Sequence, residues 1–246
     1  MNLFPLLHLC DSAFPVGAFG YSDGLESATA SGKVATAREL RAWIDVCLDE
    51  TLGRLEGPAV WQAWPAFRGA DWDTLVALDE ELTAMRPSSS ARRSSAALGR
   101  RLLTTWQTLH PDTRIEHALT LAEKGAVPLF AGDGPRKEVR PLSRDALFGP
   151  ALPIAFAGAC ACSGIERRSA VEAFAYTRLA ATISAAMRLM PIGQTDAHAL
   201  LARALERVPA AVDLVAGRDA RVESFAPAAD IAAMTQQYLH SRLFRS

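Results

Sequence analysis

The residues best placed for chemistry near the start of the chain are Asp23 and Glu26, which a helix would set one turn apart. Two carboxylates at that spacing suit general acid–base catalysis. A helix cap explains them without chemistry. Ser22 and Asp23 precede Gly24 at the start of the predicted helix, where short polar side chains accept hydrogen bonds from free backbone N–H groups. The nearby pattern Gly17-x-x-Gly20 lacks the lysine of a phosphate-binding loop. We therefore predict no catalytic site in this segment.

Metal-binding and nucleophilic patterns are weaker still. Cys160 and Cys162 have a spacing seen in some metal and redox sites, but residues two apart on a helix point in different directions. Two small buried apolar side chains explain the pair better. The five histidines, at positions 8, 110, 117, 198 and 240, form no His-x-His or His-x-x-x-His pair, and no serine lies in a Gly-x-Ser-x-Gly elbow. We predict no tightly bound metal or cofactor and no enzymatic activity.

Composition narrows the class of protein. The 246 residues include 26 lysines and arginines and 27 acidic residues, for a net charge of −1, which favours neither nucleic acid nor an anionic membrane as a partner. The longest apolar stretch, 151–162, is shorter than the ~20 residues that span a bilayer. Residues 1–5 lack the basic start of a secretory signal, and the 4 cysteines suggest no disulfide framework. These features predict a cytoplasmic globular protein.

Apolar residues that recur every three or four positions predict helices along almost the whole chain. Thr36 and Glu39 form a capping box, and Gly57-Pro58 is expected to end the helix that begins there. The predicted helices cover residues 23–31, 36–56, 58–68, 71–85, 91–109, 115–124, 152 onward, 166–190, 195–207 and 228–240. The predicted fold class is all-α, a single-domain bundle of about ten helices over residues 1–246.

Two segments, 110–150 and 166–190, stand out in the helical pattern of the sequence. Residues 110–150 are the least regular, so we predict an irregular insertion there, with a surface turn or hairpin at 132–137. The segment 166–190 is rich in alanine, which predicts a central helix that its neighbours can approach closely. Part of its small-residue face could instead form a subunit interface, and the two interpretations can hold on different arcs of the helix.

Three short motifs belong together. The first runs from Pro15 to Glu26, the second covers residues 185–196, and the third is the tail 241–246. Their candidate site residues are Pro15, Gly17, Tyr21, Ser22, Gly24, Leu25, Glu26, Arg188, Pro191, Gly193, Gln194, Asp196, Arg242, Leu243, Phe244 and Arg245. In the same order, these motifs resemble the Pro-x-Gly-Gly-Phe-x-x-Ser-x-Gly-Leu-Glu, Arg-Leu-x-Pro-Leu-Gly-Gln-Thr-Asp and Arg-Leu-Phe-Arg-Ser motifs of the urease accessory protein UreF family. The chain departs from the first at Ala18, where the family has its second glycine.

This resemblance implies an all-α homodimer that is not an enzyme. It implies a complex with UreD, called UreH in some systems, and with the GTPase UreG, docked on apo-urease. In that complex a UreF-like protein recruits UreG, modulates its nucleotide cycle and helps to pass nickel toward urease, so nickel is handled by the complex. The motif residues are then candidates for partner binding.

Two other functions stay open from the residues alone. A GTPase-activating protein would use an exposed arginine to supply charge to the transition state, for which Arg136, Arg178 and Arg188 are the nominal candidates. A helical-bundle enzyme would need polar groups that converge in a deep pocket.

The second and third motifs each allow a structural and a partner-binding interpretation. Arg188 could pair with Asp196 across the turn at 191–193 and lock two helices together, or it could contact a partner. In the tail, Leu243 and Phe244 lie between two arginines, which suits a segment that becomes ordered on binding, with the aromatic ring as its anchor. Packing onto its own domain is the alternative for the tail.

Overall fold

The computed structural model describes residues 2–16, 20–125, 148–217 and 221–244, with only the backbone for 124 and 125. The helices in these ranges confirm the predicted all-α class. They are α1 (Leu3–Cys10), α2 (Leu25–Ala30), α3 (Ala37–Val46), α4 (Gly57–Gly69), α5 (Trp72–Ala84), α6 (Ser89–Leu109), α7 (Thr113–Gly125), α8 (Leu152–Cys162), α9 (Arg167–Leu189), α10 (Gln194–Gly217) and α11 (Pro227–Thr235). A π-helix, Cys47–Glu56, joins α3 to α4, and a 3-10 turn, Gln236–Tyr238, follows α11. The predicted hairpin at 132–137 lies outside the described residues.

The alanine-rich helix α9 lies at the centre of the bundle, as predicted. It packs against α4, α8 and α10, and every residue of α8 from 152 to 161 is buried. Ala170 and Ala185 on α9 are fully buried, whereas Ala180 and Ala181 line an open groove beside α1. One arc of α9 therefore belongs to the core and another arc faces a groove. No helix among the described residues has the length and hydrophobicity to cross a membrane.

Local sequence signals set several helix ends correctly. Thr36 and Glu39 form the predicted capping box, in which each side chain accepts a hydrogen bond from the other residue's backbone N–H. Asp71 caps α5 through the Thr74 amide. The predicted short helix near residue 23 starts two residues later, and it ends before Gly32, whose φ is +72°.

The predicted break at Gly57-Pro58 is wrong, because the helix continues from α3 through the π-helix into α4. A proline inside an α-helix lacks a donor and clashes with the carbonyl four residues earlier. The π-helix directly before Pro58 changes the carbonyl register, and the amide of Gly57 bonds to the carbonyl of Leu52, five residues back. The shifted register accommodates the proline without ending the helix.

Two further boundaries differ from the prediction. α10 continues past residue 207 to Gly217 with Pro209 inside it, because its buried apolar side chains continue to Val215. α1 was not predicted at all. It places Pro5 in its first turn, where a missing N–H costs little.

The described chain resumes at residue 148, and residues 148–152 pack into the bundle at the end of the predicted insertion. The buried carboxylate of Asp79 accepts hydrogen bonds from the amides of Gly149 (3.1 Å) and Ala151 (2.8 Å). The Ser95 hydroxyl accepts from the Leu152 amide at 3.1 Å. At Gly99 a Cβ would overlap the carbonyl oxygen of the passing residue 150. Asp79 on α5 and Ser95 on α6 therefore fix where α8 begins.

Candidate functional site

The first motif turns its polar groups toward the C-terminal helix. Asp23 and Gly24 both have positive φ, 48° and 90°, and this sharp turn starts α2 at Leu25. A Cβ built on Gly24 would lie 2.7 Å from the backbone nitrogen of Ala233 in α11. Both the backbone angle and the close approach therefore require glycine. As a result, the start of α2 meets α11 backbone to backbone.

A buried hydrogen-bond network joins this turn to Gln236, directly after α11. The Gln236 Oε1 atom accepts from the Ser22 hydroxyl at 3.1 Å and from the Gly24 amide at 3.0 Å. The Gln236 Nε2 atom donates to Glu26 Oε2 at 3.4 Å. Ser22, Glu26 and Gln236 are all buried, and buried polar groups destabilise a fold unless they find such partners. The network therefore fastens α11 to α2.

The same glutamate also holds the tail. The Leu243 amide donates to Glu26 Oε1 at 2.5 Å, and the Phe244 amide donates to Glu26 Oε2 at 3.2 Å. A carboxylate that accepts backbone N–H groups forms charge-assisted hydrogen bonds, which are stronger than neutral ones. Glu26 thus positions the tail, although Leu243 lies 217 residues later in the sequence.

Arg188 of the second motif also contacts the tail. Its guanidinium carbon lies 4.2 Å from the ring centroid of Phe244, a cation–π contact, and its Nε donates to the Ser184 carbonyl at 3.2 Å. Phe244 is 3% exposed, so the ring packs onto its own chain, whereas Leu243 is 62% exposed. The three motifs therefore meet at one corner of the molecule. The pairing of Arg188 with Asp196 stays a prediction, as does ordering of the tail on binding.

The other predicted site residues differ in their exposure. Leu25 is fully buried and Tyr21 is half-buried. The remaining described ones are exposed, namely Pro15, Pro191, Gly193, Gln194, Asp196 and Arg242, while Gly17 and Arg245 lie outside the described residues. Sequence reasoning missed Gln236, for which no local pattern gives a signal because its partners lie more than 200 residues away.

Arg178 lies beside the first motif in a chain of ion pairs. It contacts Asp23 at 2.6 Å and Glu56 at 3.1 Å, and Glu56 in turn contacts Arg86 at 2.5 Å. Burial disfavours the charged form of Arg178, but the attraction of the two carboxylates outweighs it, so the pKa of Arg178 is raised. This guanidinium is mostly buried and is paired with two carboxylates, which argues against its insertion into a partner's active site. Arg136 lies outside the described residues.

The four thiols are poor ligands and nucleophiles at neutral pH. Burial raises the pKa of Cys10 to about 11 and the pKa values of Cys47 and Cys162 to about 12. Burial also raises the pKa of Cys160 well above its usual value. Within the described ranges, no three or more His, Cys, Asp or Glu side chains are grouped so as to hold a metal ion.

Two exposed apolar surfaces flank the bundle. The C-terminal patch consists of Phe225, Ile231, Met234, Tyr238 and Leu243, whose exposed fractions range from 44% to 78%. Ile231 and Met234 lie on α11, Tyr238 ends the 3-10 turn that follows it, and Leu243 lies in the tail that Glu26 holds. The N-terminal groove, about 960 Å³, lies between α1 and α9. Its lining includes Leu7 and Tyr176, which are 56% and 41% exposed, and Phe4 on the same helix as Leu7 is 81% exposed.

Comparison with known proteins agrees with the resemblance of the motifs. The UreF family model matches residues 34–205. The chain is 32% identical to the urease accessory protein UreF of Azoarcus sp. (strain BH72) over 247 residues, which cover 100% of this chain and 96% of that protein. It is 31% identical over 246 residues to the protein of that name from Methylibium petroleiphilum, covering 100% and 94% of the two chains. It is also 32% identical over 254 residues to that of Rhodopseudomonas palustris (strain HaA2), covering 100% and 94%.

Proposed function

The chain belongs to the UreF family of urease accessory proteins, which are not enzymes, and on this premise we propose that it is a scaffold for the maturation of urease. It binds UreD (UreH), recruits the GTPase UreG and modulates it, and so supports nickel insertion into apo-urease. The scaffold holds no tightly bound cofactor of its own, and nickel is handled by the complex. The assembly works in the cytoplasm.

The observation that carries this proposal is the corner where the motifs meet. Ser22, Gly24 and Glu26 are turned inward and hold α11 and the tail, and this leaves the C-terminal patch facing outward. Contiguous apolar surface on a folded protein marks interaction sites, and aromatic and methionine side chains are enriched in their centres. The motif residues therefore support partner binding indirectly, by positioning a surface, and the exposed Leu243 belongs to that surface.

The N-terminal groove supports the homodimer. Leu7 of α1 is more than half exposed and lines the groove together with the small residues Ala180, Ala181 and Ser184 of α9, and Phe4 on the same helix is also exposed. Small side chains permit close approach of a helix from a second copy, and a two-fold dimer applies the same surface twice. The two surfaces lie on different helices, so one can serve the dimer while the other binds UreD.

The test is co-purification of the chain with UreD and with UreG from the same organism. Ile231→Asp, Tyr238→Ser and Leu243→Asp change exposed side chains of the C-terminal patch, so we expect each to weaken UreD capture at least about tenfold, as for residues at the centre of an interface. Leu214→Asp is the matched control, since Leu214 is an apolar side chain that is 60% exposed and lies on α10, a different helix from the patch. Wild-type capture by all three patch variants would refute the docking surface.

Removal of residues 241–246 tests the tail itself. We expect loss of UreD binding, but the truncation also removes Phe244 from a buried position. Leu243→Asp separates the two effects, because Leu243 is exposed and its backbone contact with Glu26 is kept. Full binding by both the truncated chain and Leu243→Asp would show that the tail plays no part. Failure of every form to bind UreD or UreG would refute the scaffold role.

A further inference from the structure

Two indole rings and two guanidinium groups form one surface where α4 meets the start of α9. Trp61, Trp64 and Arg68 recur at the spacing of a single helical face, and Pro65 lies beside them. Both tryptophans are half-buried and pack against the core, whereas Pro65 and Arg68 are exposed. Arg167, the first residue of α9, reaches the same surface. We call these five residues the Trp–Arg face.

Each guanidinium of the Trp–Arg face lies over an indole ring. The Cζ atom of Arg167 is 3.9 Å from the ring centroid of Trp61, and the Cζ atom of Arg68 is 5.3 Å from that of Trp64. Arg167 Nε also donates to the Trp61 carbonyl at 2.7 Å. The Trp64 indole N–H donates to the Ile165 carbonyl at 2.9 Å, which fixes that ring. An indole holds a cation through its face, and the other guanidinium N–H groups keep their capacity to donate.

Neither of these two guanidinium groups forms an ion pair within the described part of the chain, and the adjacent exposed carboxylate of Glu166 pairs with neither. Hydrogen-bonded carboxylates raise the pKa values of Arg168 and Arg207, whereas burial lowers the pKa of Arg167. A partly buried cation without a carboxylate is unfavourable, and a carboxylate from another molecule would compensate its charge. Arginine pairs with carboxylates through two parallel hydrogen bonds. The charge of the Trp–Arg face is therefore complementary to acidic side chains.

We propose that the Trp–Arg face binds an acidic segment of a partner protein. Carboxylates of that segment pair with Arg68 and Arg167, and its apolar side chains cover the indole rings of Trp61 and Trp64. Tryptophan and arginine are enriched among the residues that carry the binding energy of protein interfaces. A nucleic acid or an anionic membrane requires a larger group of cations than two, and the net charge of −1 favours neither.

The Trp–Arg face is distant from the corner where the motifs meet. Arg167 begins α9, and Arg188, which contacts the tail, lies near the other end of the same helix. A rise of 1.5 Å per residue places these two positions about 30 Å apart. The face is therefore a third surface, separate from the C-terminal patch. This inference does not depend on the proposed scaffold function, because it identifies the partner by its charge and requires neither UreD nor UreG.

The test is fluorescence anisotropy of a labelled helical peptide of glutamate, leucine and alanine, titrated with the full-length chain. We expect binding that weakens as NaCl is added, and an affinity at least about tenfold lower for Arg68→Glu and for Arg167→Glu. Arg68 is exposed and makes no hydrogen bond to the described residues, so its substitution leaves the core intact. Arg93→Glu is the matched control, since Arg93 is an exposed arginine of α6 outside the face, and it should bind like the wild type.

Two further probes separate the alternatives. A peptide with glutamine in place of glutamate should bind at least about tenfold more weakly, and vesicles of phosphatidylglycerol should not bind. Absence of peptide binding by the wild type, unchanged binding by both variants of the face, or an equal loss in Arg93→Glu would overturn the proposal. Equal affinity for the glutamine peptide would refute the pairing of carboxylates with the arginines. Binding of the vesicles but not of the acidic peptide would assign the surface to a membrane instead.

Discussion

At the scale of single residues, buried carboxylates fasten segments of backbone that no regular element holds. Glu26 accepts the amides of Leu243 and Phe244, and Asp79 accepts the amides of Gly149 and Ala151. An unpaired backbone N–H in the interior is costly, so each carboxylate stabilises a particular path of the chain. Neither role is catalytic. These two acidic side chains are explained by the backbone that they hold in place.

Asp79 gives the fold a predictable pH dependence. Burial raises its pKa to about 7, although the amides of Ala151 and Gly149 favour the carboxylate. The unfolded pKa is about 3.9, so the folded state binds the proton more tightly, and the resulting stability is present below about pH 4 and is lost as the pH rises through 7. We expect the free energy of unfolding in urea to fall between pH 5 and pH 8, by at most about 1.4 kcal/mol per pH unit.

Asp79→Asn should remove that fall, even though the variant is less stable overall because one amide loses its acceptor. Asp73→Asn, an exposed change on the same helix, should keep the wild-type pH dependence. Equal pH profiles for the wild type and Asp79→Asn would show that Asp79 does not titrate in this range.

Gly24 tests the contact between α2 and α11. Gly24→Ala adds a Cβ 2.7 Å from the backbone of Ala233 at a φ of +90°, so we expect a loss of about 3 kcal/mol or more in urea unfolding. Gly32→Ala is the matched control, because its φ is +72° but the space around it is open. The control should lose only about 1–2 kcal/mol from backbone strain. Equal losses would show that the approach of α11 adds nothing.

At the scale of elements, the crossing of α6 and α8 depends on Gly99. A Cβ there would overlap the carbonyl oxygen of residue 150, so Gly99→Ala must push the start of α8 away from α6. We expect a loss of about 3 kcal/mol or more in thermal or urea unfolding, as for other overpacked cores. Gly69→Ala, at the open end of α4, should instead be neutral or stabilising by up to about 1 kcal/mol. Similar values for the two variants would contradict this account of the crossing.

Local sequence patterns predict most of the helices, because the residues that cap a helix and form its apolar face lie within a few turns of one another. The capping box of Thr36 and Glu39 needs only four consecutive residues, and the apolar spacing of α5 and α9 is visible in any window. The same reasoning misplaced two boundaries at Pro58 and Pro209, since local sequence does not show whether neighbouring turns will absorb a proline. The first motif is visible in the sequence, but its contact with Gln236 depends on tertiary packing that no local pattern contains.

At the scale of the whole molecule, the first motif and the tail are assembled into one corner. The family model covers residues 34–205, whereas the first motif and the tail lie outside that range and meet through Glu26. The relatives nevertheless align over the full length of the chain. The first motif and the tail together support the C-terminal patch, whereas the N-terminal groove lies between the helices α1 and α9.

Size-exclusion chromatography with light scattering, on the chain alone and mixed with UreD and UreG, tests the dimer and the scaffold function together. We expect the chain alone to have twice the mass of one protomer, since the N-terminal groove is proposed to bind a second copy. With UreD and then UreG, we expect a larger species that contains all three proteins. A monomer would contradict the role of the groove, and separate elution of the chain from both partners would contradict the scaffold function itself.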